Sequence, residues 1–305
     1  MKLTLMGTGT SQGVPAIGCK CPVCTSKDRH DKRLRCAALL ENKNSDKTVT
    51  KILIDIGPEF RIQALKYKID RLDAVLLTHG HADHIYGLDD IRIFSHTQSC
   101  GKGTEPCKNA TPGKGLNFYA NKNTLKDVKN RFDYIFMPTQ IGGGKPKIAL
   151  HNITAVTKNG PLKIGDVEIL PIPMRHGKLH TSGYMFSICK NGEKHSILYL
   201  TDCNSIRPKG FETILQKGGI IDYAVIDGLR IEPHATHFSY LQAVEAGEKI
   251  NAKHIFLTHI THENSHEQIK EYLQNNLDQF CTLKEKVLNE GYTVLPGFDG
   301  LKIEV

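Results

Sequence analysis

The chain has 305 residues, of which 39% are hydrophobic, and its formal net charge at pH 7 is +8. Such a composition can form a substantial core, and no stretch reaches the roughly 18 consecutive apolar residues of a transmembrane helix. The lysines are scattered, so the charge is compatible with a small anionic substrate and gives no reason to expect nucleic-acid binding. The N-terminal stretch MKLTLMGTGTSQG predicts a strand and a loop rather than a signal peptide, so we expect a cytoplasmic protein without a membrane partner.

Three cysteines follow the predicted first strand. The stretch GCKCPVC places Cys19, Cys21 and Cys24 within six residues. In a reducing compartment, clustered cysteines are more often metal ligands or free thiols than disulfides, and the odd total of nine agrees with this. A closed structural zinc site needs four ligands. If this is a zinc site, one ligand must come from elsewhere in the chain.

Short apolar runs rich in β-formers recur along the chain and predict strands. They are LTLMG (3–7), CAALLE (36–41), KILIDIG (51–57), DAVLLTH (73–79), LNFYA (116–120), VEILPIP (167–173), SGYMFSIC (182–189), HSILYLTD (195–202), DYAVIDG (222–228), HIFLTHI (254–260) and LKIEV (301–305). Helices are predicted between them at 122–132, with Asn121 or Asn123 as a candidate cap, at 239–250, which begins with a serine cap, and at 267–291, as one or two helices. This alternation indicates a mixed α/β sandwich, and without a clear linker or repeat we predict one domain over 1–305. A Gly-, Pro- and Lys-rich segment predicts a loop insertion near 97–115.

Histidines cluster directly after the predicted strand DAVLLT. The stretch THGHADH contains His79, His81, Asp83 and His84. Alternate residues of an extended turn face the same way, so His79 and His81 can reach one metal ion. If a helix begins near Asp83, then Asp83 and His84 can turn towards a second ion. Imidazole and carboxylate ligands suit Zn, Mn, Fe or Ni, and the position after a buried strand favours a metal centre over a polar surface turn.

Three further residues end apolar strands later in the chain. His176 follows VEILPIPMR, Asp202 closes HSILYLTD, and His259 closes HIFLTH. Taken singly, each could be a satisfied core histidine or an aspartate that caps a turn. Because strand ends converge at one edge of a sandwich, we expect the three residues to join the first cluster.

This series of residues resembles the metallo-β-lactamase superfamily of dinuclear hydrolases, and the resemblance extends from the first predicted strand to the last. It implies a four-layer αββα sandwich with two divalent metal ions at one edge of the two sheets. The implied ligands of one metal are His79, His81 and His176, and those of the other are Asp83, His84 and His259, with Asp202 bridging the two. Asp83 is also expected to act in catalysis, and Asp55 in LIDIG is expected to hydrogen-bond a ligand histidine.

A narrower resemblance, to the PhnP-type cyclic-phosphate phosphodiesterases, rests on GTGTSQGVPAIGCKCPVC, THGHADH, RHGKL, LTD and LTHITH. His262 lies three residues after His259, and with the three cysteines it would complete a Cys₃His structural zinc site that pins the N-terminal loop. In this branch a further histidine contributes to catalysis. The candidate is His237 in HATHFS, directly before a predicted helix, and His234 is its rival.

The resemblance implies a metal-dependent phosphodiesterase of phosphonate metabolism that hydrolyses 5-phosphoribosyl 1,2-cyclic phosphate. His237 would donate a proton to the leaving alkoxide or hydrogen-bond a phosphoryl oxygen. Lys178 is a candidate phosphate contact or an exposed lysine, and His180 has no assigned role. The branch also suggests a homodimer. The alternatives are a tRNA 3′-processing endonuclease, whose long basic arm is not apparent, and a non-catalytic cofactor-pathway protein, which the full ligand set argues against.

Overall fold

The computed structural model describes residues 1–95, 115–138 and 144–305. The strands in these ranges are β1 Lys2–Gly7, β2 Ala37–Lys43, β3 Val49–Ile54, β4 Ala74–Leu76, β5 Leu116–Ala120, β6 Ile148–Asn152, β7 Leu162–Ile164, β8 Val167–His176, β9 Leu179–Lys190, β10 Glu193–Leu200, β11 Ser205–Ile206, β12 Ile220–Asp227, β13 His254–Thr258, β14 Thr293–Pro296 and β15 Lys302–Glu304. The α-helices are α1 Pro22–Thr25, α2 Phe60–Lys66, α3 Ala82–Ile85, α4 Lys122–Arg131, α5 Asp133–Phe136, α6 Ile153–Val156, α7 Pro208–Lys217, α8 Tyr240–Lys249, α9 His266–Asn275 and α10 Cys281–Asn289. Short 3₁₀ turns lie at Arg29–Asp31, Leu88–Ile91 and Leu277–Gln279.

The strands form two mixed sheets. The first has the order β15-β1-β2-β3-β4-β5-β6, and the second has the order β11-β8-β9-β10-β12-β13-β14, with β7 paired to β8. In the first sheet β3, β4, β5 and β6 run parallel to one another, and in the second β10, β12, β13 and β14 do so. Parallel neighbours end at the same edge of a sheet, so each sheet brings several strand ends together.

Alternating side chains sort the core into layers. Ile54 of β3 and Tyr199 of β10 lie between the two sheets, whereas their neighbours Leu53 and Leu198 face outward. Helices α2–α5 contribute to the outer core of the first sheet, and α7–α10 contribute to that of the second. A strand that is apolar on both faces must be covered on both faces. The predicted four-layer αββα sandwich is therefore confirmed.

The longer predicted helices are confirmed, and α4, α8 and α9 each begin at a polar cap. The side chain of Asn121 accepts hydrogen bonds from the first turn of α4, and Ser239 forms a capping box with Gln242 at α8. The helical stretch 267–291 consists of α9 and α10, and Ser265 caps the first of them. Within the described residues none of the helices has the length and apolar content needed to span a membrane.

The strand predicted at 73–79 is wrong in length, because β4 covers only Ala74–Leu76. The N–H of Thr78 donates to the Asp55 carboxylate at 2.8 Å instead of to a neighbouring strand, so the chain leaves the sheet before the histidines. The elements not predicted from the sequence are strands β6, β7, β11 and β14 and helices α1, α2, α5, α6 and α7. The insertion predicted near 97–115 lies, except for Gly115, outside the described residues. The single-domain organisation stays a prediction.

Candidate metal centre

The predicted metal ligands lie together at the edge where β4, β8, β10 and β13 end. They fall into two groups, and the ligand atoms within each group lie within 4.8 Å of one another. The first group is His79, His81 and His176, and the second group is Asp83, His84, Asp202 and His259. Asp202 lies between the groups, since its Oδ1 is 3.8 Å from Nε2 of His79 and 3.2 Å from Nε2 of His259. The assignment of these residues as ligands remains a prediction.

Backbone conformation at the strand ends turns these side chains into the site. Asp55, Asp202 and His259 follow β3, β10 and β13, and all three have positive φ angles of 60°, 56° and 61°. Residues other than glycine rarely adopt this left-handed conformation, and it costs on the order of 1 kcal/mol or more. These three residues, at one edge of the sandwich, indicate that the fold keeps strained backbone beside the candidate ligands.

Hydrogen bonds to the Nδ1 atoms orient the histidine rings. Nδ1 of His84 lies 2.7 Å from Asp55, and Nδ1 of His176 lies 2.8 Å from the Thr236 carbonyl. The Thr78 hydroxyl donates to Asp55 at 2.8 Å and accepts from Nδ1 of His79 at 3.0 Å. In each case the proton lies on Nδ1, and Nε2 is the atom free to bind a metal. Asp55 thus contacts a predicted ligand histidine, and its supporting role stays a prediction.

Buried nitrogen atoms at the centre lack well-aligned partners, and this tests whether the site suits a metal ion. Within the described part of the chain, Nε2 of His79, His84 and His259 makes no well-aligned hydrogen bond, although Asp202 oxygens lie 3.2 Å from the last two, and all three residues are buried. An unsatisfied buried polar atom costs roughly 1–3 kcal/mol. Divalent ions bound by the two groups would satisfy these atoms, so the donor set fits the implied metals.

The two groups differ in their electrostatics. Burial lowers the pKa of each histidine in the first group, which favours the neutral imidazole that a metal needs. In the second group burial acts in the same direction, but the Asp202 carboxylate outweighs it. It raises the pKa of His84 well above its ordinary value and that of His259 to about 9. Protons on these two rings therefore take the place of a cation in the metal-free protein.

Metal binding to the second group should therefore release protons and strengthen as the pH rises. Below a pKa of about 9, His259 carries a proton that a metal ion must displace. We expect the apparent affinity to increase from about pH 6 towards pH 9 and about one or two protons to be released per ion near pH 7. Calorimetric titrations in buffers of different ionisation enthalpy measure this release. An affinity independent of pH with no proton release would contradict the prediction.

His237 lies beside both groups, whereas its rival His234 is exposed. The His237 ring stacks on His259 with a centroid distance of 4.4 Å and an interplanar angle of 14°. Its Nδ1 lies 2.7 Å from the carboxylate of Asp227, so the Nδ1 proton is donated to Asp227 and Nε2 is the remaining reactive atom. A ring nitrogen of His237 lies within 4.8 Å of ligand atoms of His176 and Asp202.

Sequence reasoning missed Asp227, although it ends the apolar run DYAVID much as Asp202 follows β10. Asp227 is fully buried and also accepts the backbone N–H of Cys203 at 2.9 Å. It therefore connects His237 to the residue directly after Asp202. An acidic residue at the end of an apolar strand was the signal that could have identified it.

The three N-terminal cysteines and His262 lie together away from the two groups. Their four ligand atoms lie within 4.8 Å of one another, and Sγ of Cys19 and Sγ of Cys21 each lie 3.4 Å from Nδ1 of His262. Tetrahedral zinc with its usual Zn–S and Zn–N bond lengths separates such atoms by about 3.5 Å. Backbone N–H groups also donate to the sulfur atoms, including that of Ala16 to Cys24 at 3.3 Å. The geometry fits a closed Cys₃His site.

The segment between His259 and His262 is tied to the N-terminal loop by backbone hydrogen bonds. The N–H of Ile260 donates to the Thr8 carbonyl at 2.9 Å, and the N–H of Thr10 donates to the Ile260 carbonyl at 3.2 Å. The short segment from His259 to His262 therefore links the metal centre to the candidate zinc site, and backbone hydrogen bonds hold it in place.

A buried arginine attaches the next part of the loop. Arg33 is 1% exposed and donates to the carbonyl groups of Thr261 at 2.6 Å and Asn264 at 3.2 Å. Its partner Asp31 accepts the backbone N–H of His266 at 2.7 Å. The cysteine loop is thus held at both of its ends, with the candidate zinc site between them.

Replacing Cys24 by serine should remove the zinc ion and destabilise the protein. Burial raises the pKa of the Cys24 thiol to about 11, so a bound cation is needed to hold it as a thiolate. We expect one metal equivalent to be lost and Tm to fall by at least about 5 °C. Metal analysis and thermal melting check this, with the exposed Cys189→Ser variant as control. Unchanged metal content and Tm would show that these cysteines hold no structural metal.

Lys178 and His180 lie outside the two groups. Lys178 is exposed in the two-residue turn that joins β8 to β9, directly after Gly177. His180 is also exposed, and its Nδ1 lies 3.4 Å from the Arg207 guanidinium. A role of Lys178 in phosphate binding stays a prediction.

Comparisons with known proteins agree with the fold. Residues 50–260 match the family model of the beta-lactamase superfamily domain. The chain is 34% identical to the octanoyltransferase of Porphyromonas gingivalis over 263 residues, which are 86% of this chain and 46% of that protein. This chain therefore spans about half the length of that relative.

Two solved structures are similar over the whole chain. The crystal structure of a new diphosphatase from the PhnP family is 33% identical, covers 100% of this chain and 97% of its own, and has a TM-score of 0.73. The short form of human tRNase Z covers 100% of this chain and 99% of its own, with a TM-score of 0.59 and 15% identity. The second likeness, at so low an identity, concerns the fold alone.

Proposed function

The chain belongs to the beta-lactamase superfamily and, within it, to the PhnP-type metal-dependent hydrolases, and from this premise we propose that it hydrolyses a small phosphodiester at the metal centre. The observation that carries the proposal is the juxtaposition of a seven-residue His/Asp donor set with a buried His237–Asp227 pair. The PhnP-family diphosphatase, which is similar over nearly its full length, supports phosphoryl chemistry.

We propose that the first and second groups hold two divalent ions and that the cysteine site holds zinc. When bound, the divalent ions supply Lewis-acid stabilisation of negative charge and lower the pKa of a coordinated water molecule. Zn, Mn, Fe and Ni all suit these ligands. Asp55 keeps the His84 ring in one tautomer, so that Nε2 faces the second group.

His237 is the proposed proton donor. Because Asp227 accepts the Nδ1 proton, the imidazole exchanges its other proton at Nε2, on the side of the two groups. A proton delivered there to the departing alkoxide prevents the accumulation of negative charge on a poor leaving group. Asp227 holds the ring in position. His234, which is exposed beside it, is assigned no role in this reaction.

The proposed substrate is 5-phosphoribosyl 1,2-cyclic phosphate, by analogy with the PhnP-type branch. A five-membered cyclic phosphate releases strain on opening and needs no extended groove. The likeness to tRNase Z does not favour RNA processing over this substrate, since it concerns the fold alone. The name of the P. gingivalis relative describes a protein about twice as long and does not by itself assign acyl transfer to this chain. A homodimer, as in the branch, is also proposed.

Hydrolysis by the metal-loaded protein tests the proposal. The substrates to compare are 5-phosphoribosyl 1,2-cyclic phosphate, a 2′,3′-cyclic nucleotide, a 3′-extended tRNA precursor and an octanoyl thioester. We expect turnover of the cyclic phosphates and none of the tRNA or the thioester. Cleavage of the tRNA precursor alone would replace the proposal with RNA processing, and turnover of the thioester alone would replace it with acyl chemistry.

A further inference from the structure

Helix α4 contacts the loop that carries two of the predicted ligands. Gly80 lies between His79 and His81, and NH1 of Arg131, the last residue of α4, donates a hydrogen bond to the Gly80 carbonyl. A Cβ atom at Gly80 would lie 2.4 Å from the carboxylate of Asp127, one turn earlier on the helix. Glycine at this position therefore lets α4 approach the loop closely, and the hydrogen bond to Gly80 holds the guanidinium beside the loop of the first group.

The charge of Arg131 is not neutralised within the described part of the chain. Its side chain is exposed, interacts electrostatically with His81, and forms no ion pair with any described carboxylate. A guanidinium carries five N–H donors in a planar fork, and the Gly80 carbonyl accepts only from NH1. Several donors therefore remain for a ligand.

The surroundings of this guanidinium favour an anion. The first group is predicted to hold a divalent ion, and a permanent cation beside it adds to the positive charge. An anion that lies between the two lowers this repulsion, and a tetrahedral phosphoryl group presents oxygen atoms at the spacing that a guanidinium fork matches. His81 and Arg131 are both exposed, so an anion can reach this guanidinium from solvent.

We propose that Arg131 is a substrate-binding residue whose guanidinium donates to a non-bridging oxygen of the phosphoryl group. The inference rests on the proposed function and adds a residue from a helix that carries none of the predicted ligands. The alternative is a purely structural role, in which the hydrogen bond to Gly80 only holds the ligand loop. The two roles predict different phosphate affinities when variants with equal metal content are compared.

Binding of inorganic phosphate to the metal-loaded protein tests the inference by calorimetry. We expect Arg131→Gln to raise the Kd for phosphate and the KM for the diester by about 10- to 100-fold at unchanged metal content. Arg131→Lys should show a smaller rise, because an ammonium keeps the charge and loses the fork. The control is Lys129→Gln, which removes the same charge from an exposed position of α4 and should change Kd less than about twofold.

The outcomes separate the inference from the proposed function. Equal phosphate affinity in wild type and Arg131→Gln at equal metal content would overturn the inference. If Arg131→Gln loses metal or unfolds, the phosphate affinity of Arg131→Lys is the deciding measurement. A wild-type affinity in Arg131→Lys would overturn the claim that the guanidinium fork binds phosphate. Arg131-dependent phosphate binding by a protein that hydrolyses no phosphodiester would support the inference while the proposed function fails. If the protein hydrolyses the diester but binds phosphate equally well without Arg131, the proposed function stands and the inference fails.

Discussion

Replacement of Asp202 by alanine should abolish hydrolysis, with a loss in kcat/KM of roughly 10⁴-fold. The Asp202 carboxylate lies between the two groups, 3.2 Å from Nε2 of both His84 and His259 and 3.8 Å from Nε2 of His79. No other described carboxylate spans both groups, because Asp83 belongs to the second alone. Its loss would weaken both metal positions at once and leave positive charge without its counterion.

The measurement is kcat/KM together with the metal content of the purified variant. A matched control is Asp222→Asn, which removes a carboxylate near the start of β12, at the other end of the strand from the metal centre. There Asp222 pairs with His195 at 2.8 Å. We expect that variant to retain its metal and most of its activity. An Asp202→Ala variant that keeps activity within about tenfold of wild type would exclude Asp202 as a shared ligand.

His237→Ala should lower kcat on an alkyl phosphodiester by about 10² to 10⁴-fold, the usual contribution of a general acid. The loss should be much smaller on bis(p-nitrophenyl) phosphate, because p-nitrophenolate leaves without protonation. Asp227→Asn should produce a weaker loss of the same kind, about 10- to 100-fold, since the amide can hold the ring in the wrong tautomer. Metal content should be unchanged in both variants.

His234→Ala is the control for this prediction, because His234 is exposed and its ring centroid lies 5.4 Å from that of His237. Its kcat should stay within about twofold of wild type. An equal loss on both leaving groups in His237→Ala would assign His237 to binding or metal positioning rather than to proton transfer. A larger loss in His234→Ala than in His237→Ala would reverse the choice between them.

Much of the candidate site was predictable because its residues have a local signal. Each predicted ligand follows a run of apolar β-formers, and parallel strands of one sheet end at the same edge. The structure brings together His79, His176 and His259 even though they lie far apart in the sequence. The pairing of three cysteines with His262 was likewise predicted, on the resemblance and the spacing of HITH.

Residues that act through tertiary contacts were not predictable in the same way. Arg33 and Arg131 look like surface residues in the sequence, yet Arg33 is buried and Arg131 donates to the loop between two predicted ligands. Neither contact depends on a local pattern, because each joins elements that are distant in the chain. The short strands β7 and β11 were missed for a related reason, since two or three residues carry too little periodicity to identify a strand.

Metal-dependent hydrolysis of bis(p-nitrophenyl) phosphate tests the central claim most directly. Protein freed of metal would be titrated with Zn²⁺ or Mn²⁺, and both bound metal and initial rate would be recorded for wild type and Asp202→Ala. We expect no turnover without metal, a rate that rises as the first and second groups fill, and no rise in the variant. Equal turnover by metal-free protein, or a fully loaded wild type inert towards this diester and the cyclic phosphates, would contradict it.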